Sequence, residues 1–448
     1  MGKGLYAVRC RGLIQRNGTE SIPYIRIVRK ATNRVSINHS IPVSLRYGAS
    51  GRFSCELDHE RVVVFHDPAE SRIDFSTALR EALEQPLDFP PLEQTVVPDD
   101  RIVLAIDRNT PHAAGIVAEI WRIIERRSVS PSDVTIIQPA SFHIGQKLED
   151  PRSKLPNGVR QEVTWQVHDP TDKRQCNYLA STSTGGRIYL AKSVVAADLV
   201  LPIETIAFDP VLGYRGNGSV IFPWLSTTDA IAKAHGQGHA ELTPDNERPL
   251  RQMIDEIAWL LGIQLTIQMI AGTNGKVSHI LGGMSDSVFK RGKQLLNEEW
   301  RVELSSRPEI VVAAIDSGSN GHGWQQLGAA LSAARNLVAA DGKIVVLSGL
   351  NEPLGDGMKI VQAVESPRDA MKPLRLEPPA DLIPASQFAT AADWAKVYLL
   401  SELESDVVED LFAIPLENEQ EVGRLLQSGE SCAILASAQH TYGCVSDD

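Results

Sequence analysis

Cysteine is scarce in this chain, with five thiols (Cys10, Cys55, Cys176, Cys432 and Cys444) among 448 residues. The number is odd and no two are spaced as CxxC, which argues against a disulfide framework or a thiolate metal knot and fits a reducing, cytoplasmic setting. Positive charge is short as well. Lys and Arg number 44 against 56 Asp and Glu, a net charge of -12 with a pI of about 5.5. Neither nucleic acid nor an anionic membrane is therefore expected as the main partner, because either would need a basic face. Long apolar runs are missing too. The longest stretch, around residues 257–270, is interrupted by Trp259, Gly262, Gln264, Thr266 and Gln268, too polar to cross a bilayer. The opening MGKGLYAVRC has no apolar signal segment, and Tyr6 stands where a myristoylation signal needs Ser or Thr. No membrane anchor is expected. A G-x-G-x-x-G opening a helix and a Walker lysine are both lacking, so an ordinary nucleotide-dependent oxidoreductase is the poorer reading.

What is present can bury large cores: 43% of residues are hydrophobic, enough for two or three domains. Residues 1 to about 85 alternate apolar and polar positions in short runs such as YIRIV (24–28) and RVVVF (61–65), which predicts a small antiparallel sheet. The proline-rich 86–100 reads as a linker. From residue 101 the texture changes. Strand-like runs at 102–106, 134–137, 163–167, 187–190 and 197–203 flank a helix-period stretch at 115–127, and a long helix is expected over 246–261 before a strand at 265–270. A second unit begins near 309, with a strand at 310–315, a helix at 324–339, a turn at Asp341-Gly342 and a strand at 343–347. The tail reads as helix over 391–400 and 418–426, then a strand at 432–436. The fold class is therefore α/β: two α/β domains (96–275 and 276–448) with mainly parallel sheets and an interdomain cleft, plus an N-terminal β-rich subdomain (1–95).

In open parallel sheets ligands gather past the carboxyl ends of strands, and polar clusters stand at three such places. They are DRNTPH (107–112), SFHIGQ (141–146) and DSGSNGHGWQQ (316–326). Each could equally be a well-capped loop, and for Thr110-Pro111 a helix cap is the better single-residue reading. The densest signal is LGYRGNGSVIFP (212–223), three glycines around an arginine and an asparagine. Such a loop lets backbone N–H groups approach a ligand, although a surface turn is an equal reading from spacing alone. His235 and His239 form an i, i+4 pair, but Gly236 and Gly238 weaken any helix that would present both to a metal. The remaining histidines, His66 and His440 among them, read as solvated or satisfied by neighbours.

The order of these clusters resembles that of the lactate racemase family over roughly residues 100–350. That family carries an Asp-x-x-Arg-Pro cluster, a Gly-Thr-His segment, the pattern ADLVI, a Pro-His-x-x-x-Gly-Phe-Ser-Gly-Gly-x-Lys loop and a downstream histidine. Here Asp107 and Pro111 fall on the first cluster, His143 on the Gly-Thr-His histidine, AADLVLPI on the strand, and Gly213, Tyr214 and Gly216 on the glycine loop; His235 stands at the downstream histidine. The resemblance implies a nickel-pincer nucleotide between two α/β domains, with one imidazole to the metal and two bases acting on a hydroxy acid. It implies His143 and Asp209 as those bases and His235 as the metal ligand. Cofactor contacts are implied at Asp107, Thr110, Gly213, Tyr214, Gly216, Gly218 and Ser219, and substrate contacts at Gln325 and Gln326. Arg215 in the cofactor loop and Arg108 beside the substrate are absent from the family pattern and read as replacement positive charge for a different anion, with an exposed arginine paired to an acid an equal reading for each.

Departures from the pattern matter equally. Asp209 replaces the family's second catalytic histidine, Ser219 the lysine that tethers the cofactor, Thr110 the arginine that clamps the carboxylate, and Ala329 a second-domain lysine. A cofactor here is thus expected to be held non-covalently, and lactate itself is not the expected substrate, since threonine cannot replace a guanidinium fork. The leading expectation is a racemase or epimerase of a 2-hydroxy acid or sugar acid larger than lactate. The alternative is a catalytically inactive ligand-binding or regulatory protein on the same scaffold. In either case the expected partner is a small anionic molecule.

Overall fold

A computed structural model describes residues 40–108, 110–140, 148–182, 185–235, 242–317 and 321–446. The expected strand at 24–28 and the candidate base His143 lie outside them. Two sheets organise the rest. The first runs in the order Val277–Met284, Leu265–Ala271, Leu199–Asp209, Ile102–Ile106, Val134–Pro139 and Thr164–His168. Its pairings are parallel except at the edge strand Val277–Met284, and a short strand Gly213–Arg215 folds back antiparallel on Leu199–Asp209. The second sheet is parallel throughout, in the order Ala413–Leu416, Lys396–Leu400, Lys343–Leu347, Ile310–Ala314, Cys432–Leu435 and Val62–His66.

The strands Ile102–Ile106 and Ile310–Ala314 are apolar at every position because both faces are covered, and their two-residue period divides them between separate cores. Ile102, Leu104 and Ile106 pack with the helix Ala113–Ile124, whereas Val103 and Ala105 face the helix Pro249–Leu260. In the second sheet Val311 and Ala313 meet the helices Trp324–Leu337 and Leu382–Trp394, and Ile310, Val312 and Ala314 meet the hairpin of Ser40–Tyr47 and Gly51–Asp58 through Val43, Leu45 and Phe53. The α/β class with mainly parallel sheets is thus as expected.

Two expectations need correction. Val62–His66 is not part of the small antiparallel sheet but the parallel edge of the second sheet, where Phe65 and His66 pair with Ile434 and Leu435. The segment 391–400 is not one helix: the helix ends at Trp394 and Lys396–Leu400 extends as a strand, burying Val397 and Leu399. Its alternation of buried residues outweighs a helix-compatible composition. The boundary drawn at 275/276 falls between two strands, Leu265–Ala271 and Val277–Met284, that pair with each other.

The carboxyl ends of the two sheets meet. Trp300, at the end of the helix Ser285–Trp300, is fully buried and donates from Nε1 to Ala271 O at 2.8 Å. His66 and His440 of the second lobe lie edge-on to its ring, at centroid distances of 5.8 and 5.1 Å. The backbone N–H of Asn274, just past a strand of the first sheet, donates to Asp316 Oδ2, just past a strand of the second.

Candidate functional site

The glycine-rich turn is built around a carboxylate. Glu204 sits in the strand Leu199–Asp209 and is its one fully buried acid. Its Oε1 accepts from Gly218 N at 2.6 Å, and its Oε2 accepts from Ser219 Oγ at 2.6 Å and Val220 N at 2.8 Å. Burial raises the Glu204 pKa, and these hydrogen bonds oppose the rise. Ser219 Oγ also accepts from Gly216 N at 3.0 Å, and Arg251 reaches over the outside to donate to Gly216 O at 2.7 Å and Asn217 O at 2.8 Å. The turn depends on left-handed backbone at Gly216 (φ 112°) and Gly218 (φ 89°), a region costly for residues with a Cβ. Gly213 is left-handed too (φ 75°) and also serves close approach, since a Cβ there would lie 2.3 Å from Pro244 O.

Beside this turn lies a cluster of a different kind. Arg215 pairs with Ala207 across the short hairpin, so its side chain shares a strand face with Thr205. Arg215 Nε and Thr205 Oγ1 are both sealed from solvent without a hydrogen-bond partner. Arg108 is buried, stacks over Trp224 at 4.2 Å and pairs with Asp107 at 4.0 Å. Burial pulls its pKa down to about 10, with Asp107 opposing the change and Arg215 adding to it. From the other lobe, His440 is held near 4 by burial, with Arg215 repelling its protonated form and Asp316 favouring it. Arg215 therefore acts electrostatically on Arg108 in its own lobe and on His440 in the other.

The remaining expected site residues divide between those that support the turn or strand ends and those that lie elsewhere. Asp107 Oδ1 accepts from Arg108 N at 2.8 Å. Thr110 is not a helix cap: its hydroxyl donates to Ile203 O at 3.2 Å, and the following helix begins at Ala113, with His112 in left-handed conformation before it. Asp209 Oδ1 accepts from Val211 N and Leu212 N, both at 2.8 Å, closing the hairpin turn. Tyr214 points away from Arg215, its hydroxyl donating to Asp245 at 2.9 Å, and burial pushes its pKa up to about 12. Gln326 accepts from Gly323 N at 3.0 Å at the start of its own helix, while Gln325 is half-buried on the first turn. His235 ends the helix Thr228–His235, and its side chain lies outside the described residues, as does His239. The expected convergence of His143 and His235 on the turn therefore falls outside the description. Among the described residues no group of three or more His, Cys, Asp or Glu could hold a metal.

Glu204, Arg251, Gln439 and His440 were not singled out from sequence. Glu204 had a readable signal, an acid inside the buried pattern LVLPIETIA; Arg251 and the 439–440 pair had none, because only the fold brings them to the site.

Residues 47–243 match the family model described as lactate racemase N-terminal domain. A lactate racemase from Thermoanaerobacterium thermosaccharolyticum is 19% identical over 286 residues, covering 62% of this chain and 66% of that protein, just under two thirds of its length. The structure of the lactate racemase apoprotein from the same organism superposes with a TM-score of 0.75 at 16% identity, covering 90% of this chain and all of that one. A crystal structure of a Thermotoga maritima protein gives a TM-score of 0.61 at 11% identity over 85% of this chain. Both likenesses concern the fold.

Proposed function

We propose that this chain, which belongs to the lactate racemase family, binds a small organic anion of the 2-hydroxy-acid or sugar-acid class between its two sheets, with Arg215 as the carboxylate receptor. The observation that carries this reading is the buried, unpartnered Nε of Arg215. A buried donor left without an acceptor costs about 1–3 kcal/mol, more when charged, so a site that keeps one is suited to a ligand that supplies the acceptor. Arg108 reinforces the local positive field from behind, and the orphaned hydroxyl of Thr205 adds a second polar contact. This pair takes the place of the arginine that the family pattern sets at Thr110.

The family's tethered nickel-pincer nucleotide does not fit the turn. Ser219 replaces the lysine, and its hydroxyl is committed to Glu204 at 2.6 Å. The N–H groups of Gly218 and Val220, which could cradle a ligand carboxylate or phosphate, are directed at the same buried Glu204.

A second reading, turnover as a racemase or epimerase, is favoured by Asp209, whose Oδ2 accepts no hydrogen bond from the described residues and which stands where the family pattern sets a base. Two measurements separate the readings. Calorimetry with a panel of 2-hydroxy acids and sugar acids is expected to find a binder whose affinity drops at least tenfold in Arg215→Gln. Intact mass and nickel analysis after expression with the cofactor-making enzymes should show an unmodified, nickel-free chain. Covalent mass, bound nickel, or loss of α-deuterium from a bound acid would move the conclusion to the enzyme.

A further inference from the structure

This inference rests on the anion-binding reading. His440 follows the strand Cys432–Leu435, at the carboxyl end of the second sheet, where parallel sheets present ligand-binding groups. Its ring is positioned from two sides. Trp300 meets it edge-on at 5.1 Å, and Gln439 Nε2 lies 3.2 Å from His440 Nε2. The same amide nitrogen donates to Asp316 O at 3.0 Å and to Asp316 Oδ1 at 2.7 Å, which fixes it as the NH2 end of the side chain. Asp316 is itself anchored, accepting from the backbone of Asn274 across the junction. An amide nitrogen accepts no hydrogen bond, so with the two Asp316 oxygens sharing one of its protons the other goes to His440 Nε2, and the ring proton resides on Nδ1. That Nδ1 has no hydrogen-bond partner among the described residues and, on a half-buried side chain, is not sealed from solvent. Gln439 Oε1 and Thr441 Oγ1, of the residues before and after it in the chain, are buried without partners.

We propose that His440 is the second lobe's ligand contact: its Nδ1–H donates to the hydroxyl beside the carboxylate that Arg215 holds, so that a 2-hydroxy acid is read from both lobes at once. Burial and the nearby Arg215 keep the imidazole neutral near pH 7, which preserves this one-donor, one-acceptor arrangement. The role is specificity, because a neutral ring with its proton on Nδ1 offers a hydrogen bond where a base would need a lone pair. A ligand lacking the hydroxyl leaves the Nδ1–H facing nothing.

The test is a ligand-and-residue cycle by calorimetry with D-gluconate and 2-deoxy-D-gluconate, which differ in that hydroxyl. The wild-type chain is expected to prefer gluconate by about tenfold. His440→Phe, which keeps a ring against Trp300, should bind both alike, and His440→Asn, which returns a donor near Nδ1, should restore most of the preference. Unfolding curves for each variant confirm that the junction is intact. If the wild-type chain binds both acids equally, or His440→Phe keeps the preference, the assignment of His440 is overturned while the anion site stands. If neither acid binds the wild-type chain, the anion-binding reading falls and takes this one with it.

Discussion

The turn at 216–220 and the junction between Arg215 and His440 adjoin in the chain and in space, yet their polar atoms are in opposite states. In the turn two N–H groups and a hydroxyl converge on Glu204, and Arg251 closes the carbonyls outside. At the junction Arg215 Nε, Thr205 Oγ1, Gln439 Oε1, Thr441 Oγ1 and His66 Nε2 are buried without partners. A closed network holds structure; open donors and acceptors, which the fold tolerates at a cost, mark where a ligand completes it. The glycine loop looked like the binding element in the sequence, but its own carboxylate already occupies it.

The largest expected effect tests the closed side. Glu204→Leu strips two N–H groups and the Ser219 hydroxyl of their acceptor and is expected to cost about 3 kcal/mol or more in urea denaturation, whereas Arg215→Gln should change stability by less than about 1 kcal/mol. Equal losses in the two variants would erase the distinction. Next is acid. His66 is 8% exposed, and burial lowers its pKa from 6.5 to about 4. The unfolded chain therefore takes up the proton first, and stability is lost as pH falls from 6.5 toward 4, by on the order of 2 kcal/mol. His66→Gln should flatten that part of a stability profile; an unchanged profile would mean that the ring is not held neutral by the junction. The smallest effect sharpens the contrast within the second lobe. Gln326 closes on its own helix terminus, so Gln326→Ala is expected to cost about 1 kcal/mol by thermal denaturation and to leave anion binding unchanged. A binding loss would place that side chain with the open set.

Strands were the most legible part of the chain. The all-apolar run Ile102–Ile106 and the strand Lys343–Leu347 fall where the pattern puts them, because a sheet buried on both faces writes itself as uninterrupted hydrophobicity. The edge Val62–His66 did not announce its sheet, since its partner Cys432–Leu435 is distant in sequence. At the site the same limit applies. Arg108 and Arg215 were readable as candidate charges, but whether a polar atom is paired or orphaned depends on neighbours far along the chain. Asp209 and Gln326 read as chemistry, and the structure shows them holding a turn and a helix start. His440 read as bland, and only the meeting of Gln439, Asp316 and Trp300 around it gives it a defined tautomer.

The most direct test of the account is a crystal structure of the protein grown with D-gluconate. The carboxylate is expected against Arg215, the neighbouring hydroxyl at His440 Nδ1, and Glu204 still accepting from Gly218, Ser219 and Val220. A ligand carboxylate seated instead on those turn N–H groups, with Glu204 displaced, would contradict it.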